Sequence, residues 1–440
     1  MASRNHSFQL VVLLAWLGAV PLAAQAPLRL SFADAVRRAA GEAPAVELAT
    51  LRTDEADARV RQARAALLPS LSVSGFWLNR SFNSRSIGIS FPGVPELVGP
   101  FNNYDARLNA SQTLFDWSSL KRVRSARAQA DGSRAEHGVT VEAAVQTAAL
   151  AYLRATRAQA VLAARQADSS IAAELVTLAQ AQKAAGVSAA IDVTRAQTEL
   201  VRAQGLLIVA RNQRDRALID LARALGLDPA TPLQLTDTLA STLGATDLPP
   251  GRETLVTAAL DNRPDLRAEL ARGAAARQAG SAIRAERLPR LELGGDYGVN
   301  GLTVPNAIST REVTVQVTLP ILDGFRREAR SAEQDAVARE SQVRERDLRQ
   351  QIAADVDAAL LDLRSAAAQQ AVAAEQLRLA EDELSQSRQR FKAGVAGNIE
   401  VIDAQSNLIR ARDGDIDARF AAATARVALA RAAGVARTLH

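Results

Sequence analysis

The sequence predicts a mainly α-helical chain carrying a pair of membrane-type β-hairpins, arranged as two helix-strand-strand-helix repeats. Three observations predict it: an internal duplication, short strands of alternating polarity, and heptad-spaced apolar residues along very long helices. In the duplication, Pro44 and Leu68-Pro69 recur as Pro264 and Leu288-Pro289 at an offset of 220. AGVSAAIDVTRAQ from 185 recurs as AGVAGNIEVIDAQ from 393, and LARALG from 221 as LARAAG from 429, both at an offset of 208. Self-similarity at long fixed spacing marks a repeated structural unit. The drop from 220 to 208 places a dozen extra residues in the first copy, between its proline and its later helices. The expected segments are 1–26 as a signal peptide, 27–228 as the first repeat, 229–250 as a linker and 251–440 as the second repeat.

The amino-terminal segment places the chain outside the cytoplasm. Arg4 and His6 precede an apolar run from Leu10 to Val20, and PLAAQA follows. That is the layout of a cleaved secretory signal, and about a dozen apolar residues are too few to span hydrocarbon. Ala24-Gln25-Ala26 fits a small-x-small cleavage site. The chain has no cysteine, which removes disulfides, thiolate nucleophiles and Cys-type zinc sites. No later stretch approaches the roughly 18 apolar residues of a transmembrane helix.

The strands come next. Tyr104, Ala106, Leu108 and Ala110 alternate with Asp105, Arg107, Asn109 and Ser111, and Val313, Val315, Val317 and Leu319 alternate with Glu312, Thr314, Gln316 and Thr318. Their partners, SLSVSGFWL from 70 and RLELGGDYGV from 290, alternate more loosely. The pattern predicts strands over about 70–80, 103–115, 290–300 and 311–320. Period two gives one apolar and one polar face, as in a membrane barrel with lipid outside and water inside. Four strands cannot close a barrel, because the smallest need about eight. Several chains must therefore contribute to one barrel. The segment 82–103, rich in proline and glycine, reads as a long extracellular loop.

Helices fill the remainder. Val356, Leu363, Leu377, Leu384 and Phe391 fall on a heptad, with Gln370 at the missing step, and Ile352, Ala359, Ala366, Ala373 and Ala380 form a companion seam. Such spacing belongs to coiled coils, and alanine allows close approach. A helix from about 118 to 185 would be roughly 100 Å long at ~1.5 Å per residue. Few aromatics (4%) and abundant alanine fit long packed rods better than several globular cores. The formal charge of +5 is carried almost wholly by arginines interleaved with Asp, Glu and Gln, which reads as solvated helix faces and not as a nucleic-acid stripe. No phosphate loop, paired metal ligands or nucleophile elbow is present. No enzyme reaction, metal or cofactor is expected. A secreted coiled-coil scaffold or adhesin, with the hairpins as packing elements, is the alternative.

These features together resemble the TolC-type outer membrane efflux proteins. The likeness is carried by the opening LSFADAVRRAAGEAP, the ALDNRPDLRAELA stretch, LFDW and ILDG after the second strand of each copy, and the paired GVSAAIDV and GVAGNIEV turns, over nearly the whole chain from Leu28 to Gly434. The resemblance implies a homotrimer whose chains give four strands each to a twelve-stranded outer membrane barrel, continued by an α-helical barrel through the periplasm. It also implies a periplasmic adaptor and an inner membrane pump of RND, ABC or MFS type as partners, in an efflux or type I secretion system.

By the same resemblance the two helix-to-helix turns form the periplasmic entrance, with Asp192, Glu400 and Asp403 at acidic entrance positions. An aromatic hydroxyl and a basic residue that hold the entrance shut elsewhere in the family are replaced here by Phe391 and Ala396. From the residues alone, Asp192 and Glu400 sit in the first turn of the returning helix, complementing its dipole, and Asn398 is expected to be an N-cap. Arg195 at i+3 can satisfy Asp192, whereas Glu400 and Asp403 are expected to stand unpaired. Gly186 and Gly394 are expected to end their helices in left-handed turns, and Gly186, Val187, Ser188, Gly394, Val395 and Ala396 form the tips where an adaptor would dock.

Overall fold

The computed structural model describes residues 27–88, 95–239 and 251–439; the signal segment and most of the linker lie outside them. The chain starts with β1 (Leu28–Leu30), α1 (Phe32–Glu42) and α2 (Pro44–Ala65). A hairpin of β2 (Ser70–Asn83) and β3 (Leu97–Phe115) follows, then α3 (Trp117–Ala184) and α4 (Ala190–Ala224). After β4 (Leu233–Leu235) the plan repeats as α5 (Arg252–Asn262), α6 (Pro264–Ala285), β5 (Arg290–Gly301), β6 (Ile308–Thr318), α7 (Arg326–Lys392) and α8 (Asn398–Ala432).

Helix boundaries follow from local chemistry. Ser31 and Asp34 form a capping box at α1, and Pro44 and Pro264 open α2 and α6, where a missing N–H costs nothing. Asp116 caps α3 by accepting from Ser118 N. The four long helices all stop at a left-handed glycine: Gly186, Gly226, Gly394 and Gly434 have φ of 71–74°. In each, the next residue donates five residues back, as in Val187 N to Gln182 O at 2.9 Å and Val395 N to Arg390 O at 3.0 Å, which closes a Schellman turn. At 68 and 67 residues, α3 and α7 are each about 100 Å long.

The strands form one antiparallel sheet in the order β2-β3-β5-β6, so the two hairpins join through β3 and β5. Register puts Ser72, Ser74, Asp105, Arg107, Asn109, Asp296, Glu312 and Thr314 on one face, and Leu71, Val73, Trp77, Leu108, Tyr297, Val313 and Val315 on the other. The apolar face is exposed in the single chain, Val73 at 80% and Val313 at 77%. β2 and β6 each keep one unpaired edge among the described residues. Pairing extends further than alternation suggests: β2 runs to Asn83 and β3 begins at Leu97, where a loop is expected to reach 103. Backbone pairing continues there although the sequence no longer alternates, and residues 89–94 of that loop lie outside the described residues.

The seam predicted along α7 is present. Ile352, Val356, Ala359, Ala366, Ala373, Ala380, Leu384 and Phe391 are all buried. A waist core gathers Leu30, Phe32, Val36, Tyr152, Leu221 and Val427, with Phe32 edge-on to Tyr152 at 5.7 Å. β1 pairs with β4 in parallel beside it, a contact no local pattern announces. Among the described residues no helix is long and apolar enough to cross a membrane.

Candidate functional site

The two glycine turns lie side by side. At the first, Gly186 ends α3 and Ala189 precedes α4; at the second, Gly394 ends α7 and Gly397 precedes α8. Asp192 and Glu400 occupy equivalent first-turn positions, where a carboxylate meets the positive end of the helix dipole. Their local partners differ. Ser188 Oγ donates to Asp192 Oδ2 at 2.8 Å, closer than the Arg195 guanidinium at 3.8 Å. Glu400 accepts an ion pair from Arg390 Nε at 3.0 Å, so it does not stand unpaired. Arg390 lies ten residues back, in the last turn of α7, beyond the reach of an i+3 or i+4 rule. Asp403 is exposed and has no ion pair among the described residues.

Asn398 is also placed differently from its expected role. It is the first residue of α8, after Gly397, and is fully buried at 0% exposure. Its Nδ2 donates across the turns to Asp192 O at 2.7 Å, while Oδ1 has no partner. A reciprocal bond runs the other way: Gln182 Nε2 donates to Phe391 O at 2.9 Å. One side chain from each repeat therefore ties to the other repeat's backbone. Phe391 itself is 3% exposed and packs with Leu175, Ala179, Leu384, Val401 and Leu408. Its ring thus backs the tip and lines no opening in the single chain. Val187 and Val395, the outermost apolar residues, are 66% and 71% exposed. Gln182 and Arg390 carry no signal in one copy alone; aligned at the offset of 208 they are equivalent positions, and that comparison could have flagged them.

Above the tips, a buried charged cluster joins α3 to α8. Asp168, 2% exposed, accepts from Arg165 Nη1 at 2.8 Å and Arg412 Nη1 at 2.8 Å, and Arg165 also pairs with Asp413. Burial pushes the Asp168 carboxyl above its ordinary value even with two guanidiniums beside it. Arg157 with Asp417 continues this line. On the polar face of the sheet, Arg107 Nε bonds both oxygens of Asp105, at 2.8 and 2.9 Å, and Nη1 reaches Asp296 on the neighbouring β5. Gly298 makes that possible, since a Cβ there would lie 2.3 Å from Ala106 O and 2.6 Å from Arg107 Cγ. Among the described residues no group of three His, Cys, Asp or Glu is placed to hold a metal.

The turns, cluster and sheet form a rod with a two-faced sheet at one end and a polar-stitched tip at the other. A family model described as outer membrane efflux protein matches residues 35–227 and 255–435. Protein CyaE of Bordetella pertussis is 30% identical over 412 residues, covering 92% of this chain and 84% of that protein. The pyoverdine export outer membrane protein OpmQ of Pseudomonas putida is 26% identical, covering 88% and 82%. Among solved structures, the CmeC outer membrane channel of Campylobacter jejuni aligns with a TM-score of 0.79 at 16% identity, over 92% of this chain and 86% of that one. The open state of the MtrE outer membrane channel of Neisseria gonorrhoeae aligns with a TM-score of 0.76 at 19% identity, over 93% and 90%.

Proposed function

The chain belongs to the outer membrane efflux protein family, and on that premise we propose that three copies assemble into one passive duct, from a periplasmic tip to the cell exterior. It is an outer membrane exit duct for export, and its relatives are channel and export proteins. The observation that carries the trimer is the sheet: four strands, one apolar face and two free edges. Three such sheets joined β2 to β6 make a twelve-stranded barrel, above the minimum of about eight. Each of the two family-matched stretches supplies one hairpin and one pair of long helices, in keeping with repeats at 27–228 and 251–440. A scaffold without a channel leaves the exposed apolar face and both edges unexplained.

The remaining roles follow from the tips. Exposed Val187 and Val395, beside Gly186, Ser188, Gly394 and Ala396, offer small apolar knobs for a periplasmic adaptor. An inner membrane pump, not this chain, supplies energy, and the chain performs no chemistry. Asp192, Glu400 and Asp403 ring the entrance, six carboxylates coming from the second pair in a trimer. Arg390 offsets part of the Glu400 charge, so Asp403 carries more of the cation preference. With no hydroxyl at Phe391 and no cation at Ala396, the Gln182 and Asn398 bonds hold the tip closed in place of an acid-centred lock.

Purification from outer membranes in detergent followed by single-channel recording tests this reading. The expected result is a detergent-soluble trimer forming cation-preferring pores, with the preference reduced in an E400Q/D403N variant. A soluble periplasmic monomer would sink the duct, and unchanged selectivity in the variant would remove the entrance role of these acids.

A further inference from the structure

All four chain crossings between sheet and helices expose apolar side chains at one level. They are Leu68 before β2, Leu114 and Phe115 at the end of β3, Leu288 before β5, and Leu319, Ile321 and Leu322 after β6. Ile321 and Leu322 are the most open, at 87% and 78%. Phe325 is held 71% exposed at φ 63°, a left-handed conformation that is a genuine outlier for a bulky residue. Strain of that kind persists only where the surroundings impose it, and it clusters at functional positions. Val313, Val315 and Val317 lie on the apolar face of β6, and Leu319 and Ile321 beyond the strand end are exposed as well.

One turn further along the helices, the exposed charge is unbalanced. Four acids at this level are engaged, Asp116 with Arg122, Glu286 with Arg330, Asp323 with Arg327 and Glu328 with Arg287, while Glu333 is exposed without an ion pair among the described residues. Arg64, Lys121, Arg124 and Arg326 have no carboxylate partner among the described residues. On α3, Trp117, Leu120, Lys121 and Arg124 fall at i, i+3, i+4 and i+7, hence on one face, while Ser118, Ser119, Val123 and Ser125 are buried. Lys121 Nζ sits 5.7 Å from the centre of the Trp117 ring. α3 is flanked within its own chain by α2 and α6.

An apolar band followed by an aromatic and then by unpaired cations is the order of chemistry met on leaving a bilayer, from acyl chains to interface to phosphate. We propose that this collar binds anionic phospholipid headgroups of the periplasmic leaflet, with Lys121 and Arg124 on the phosphate, Trp117 and Phe325 at the interface, and Arg64 and Arg326 adding charge. The proposal rests on the outer membrane duct reading and adds a lipid preference to it. The helix side of the sheet faces the periplasm, which selects phospholipid as the source of the phosphate.

The test uses the full-length trimer in vesicles. A Trp77→Phe change leaves Trp117 as the lone tryptophan beyond the signal segment. Its fluorescence is read in phosphatidylcholine vesicles doped with an equal fraction of brominated phosphatidylglycerol or brominated phosphatidylcholine. At about five-fold enrichment per surface cation, quenching by the anionic lipid should exceed that by the zwitterionic lipid by at least about two-fold. Adding K121Q and R124Q should remove most of the difference while pore formation persists. Equal quenching by both lipids, or quenching by aqueous iodide and neither lipid, overturns the proposal. Loss of vesicle insertion or pore conductance in the unsubstituted trimer would instead count against the duct.

Discussion

Removing the two bonds between the tips should open the duct, and the size of the effect can be worked from the structure. Gln182→Ala deletes the 2.9 Å bond to Phe391 O, and Asn398→Ala the 2.7 Å bond to Asp192 O. A neutral hydrogen bond contributes about 1 kcal/mol net. Phe391 O keeps its bond from Gly394 N, and Asp192 O lies within α4, so neither carbonyl is stranded. Truncating Asn398 also removes its unpartnered Oδ1, which lessens the loss at that site. Each copy therefore loses about 1–2 kcal/mol of closed-state preference. If three copies open together, the sum is about 3–6 kcal/mol, or ~10²–10⁴ in the ratio of open to closed at ~1.4 kcal/mol per decade. Planar bilayer recordings of the double variant should show a higher conductance and a greater open fraction, each single variant being intermediate. An intact trimer with unchanged conductance would refute the idea that these bonds close the tip.

Gly298→Ala should prevent assembly of the barrel, because its Cβ would fall within 2.3 Å of Ala106 O, a backbone atom unable to move aside; loss of detergent-resistant trimer checks this, against a Gly75→Ala control whose nearest neighbour would be 3.8 Å away. Glu142→Gln should be neutral or stabilising at neutral pH. Burial raises this carboxyl above 4.5, opposed by Arg437, and Oε2 has no partner. A raised value means the folded chain binds the proton more tightly, so the carboxyl's contribution is fully present below about pH 4.5 and is lost as pH rises through the folded value. Thermal melts should therefore show the variant gaining on the parent as pH rises above about 4.5. A variant melting well below the parent at neutral pH would show that the Arg437 pair at 3.0 Å outweighs the burial.

Periodicity and punctuation made the fold legible in the sequence. The α7 seam from Ile352 to Phe391 is a heptad; most of its residues are buried as that spacing requires, and Leu363, Gln370 and Leu377 are half-buried. Gly186 and Gly394 could be placed at helix ends because a left-handed residue without a Cβ is what a Schellman turn needs. The alternation of 104–111 and 313–319 determined two faces, because side chains on a strand point to opposite sides at every step. The duplication set the order of elements, and the outer membrane family followed from motifs read along that order.

The partners of particular side chains were decided only in three dimensions. Asp192 and Asn398 are 206 positions apart, as are β1 and β4 by a similar span, and no local rule spans such distances. Asn398 reads as an N-cap because its type favours that role, yet the approach of α4 turns its amide toward Asp192 O instead. Glu400 reads as unpaired because no cation lies three or four positions away, and the fold brings Arg390 back across the turn. Phe391 sits on the heptad that buries it, so its place behind the tip was already in the spacing. Residue type and period determined where the chain bends and which face is apolar; the return of distant segments decided which polar groups meet, because hydrogen bonds and ion pairs need contact and not sequence proximity.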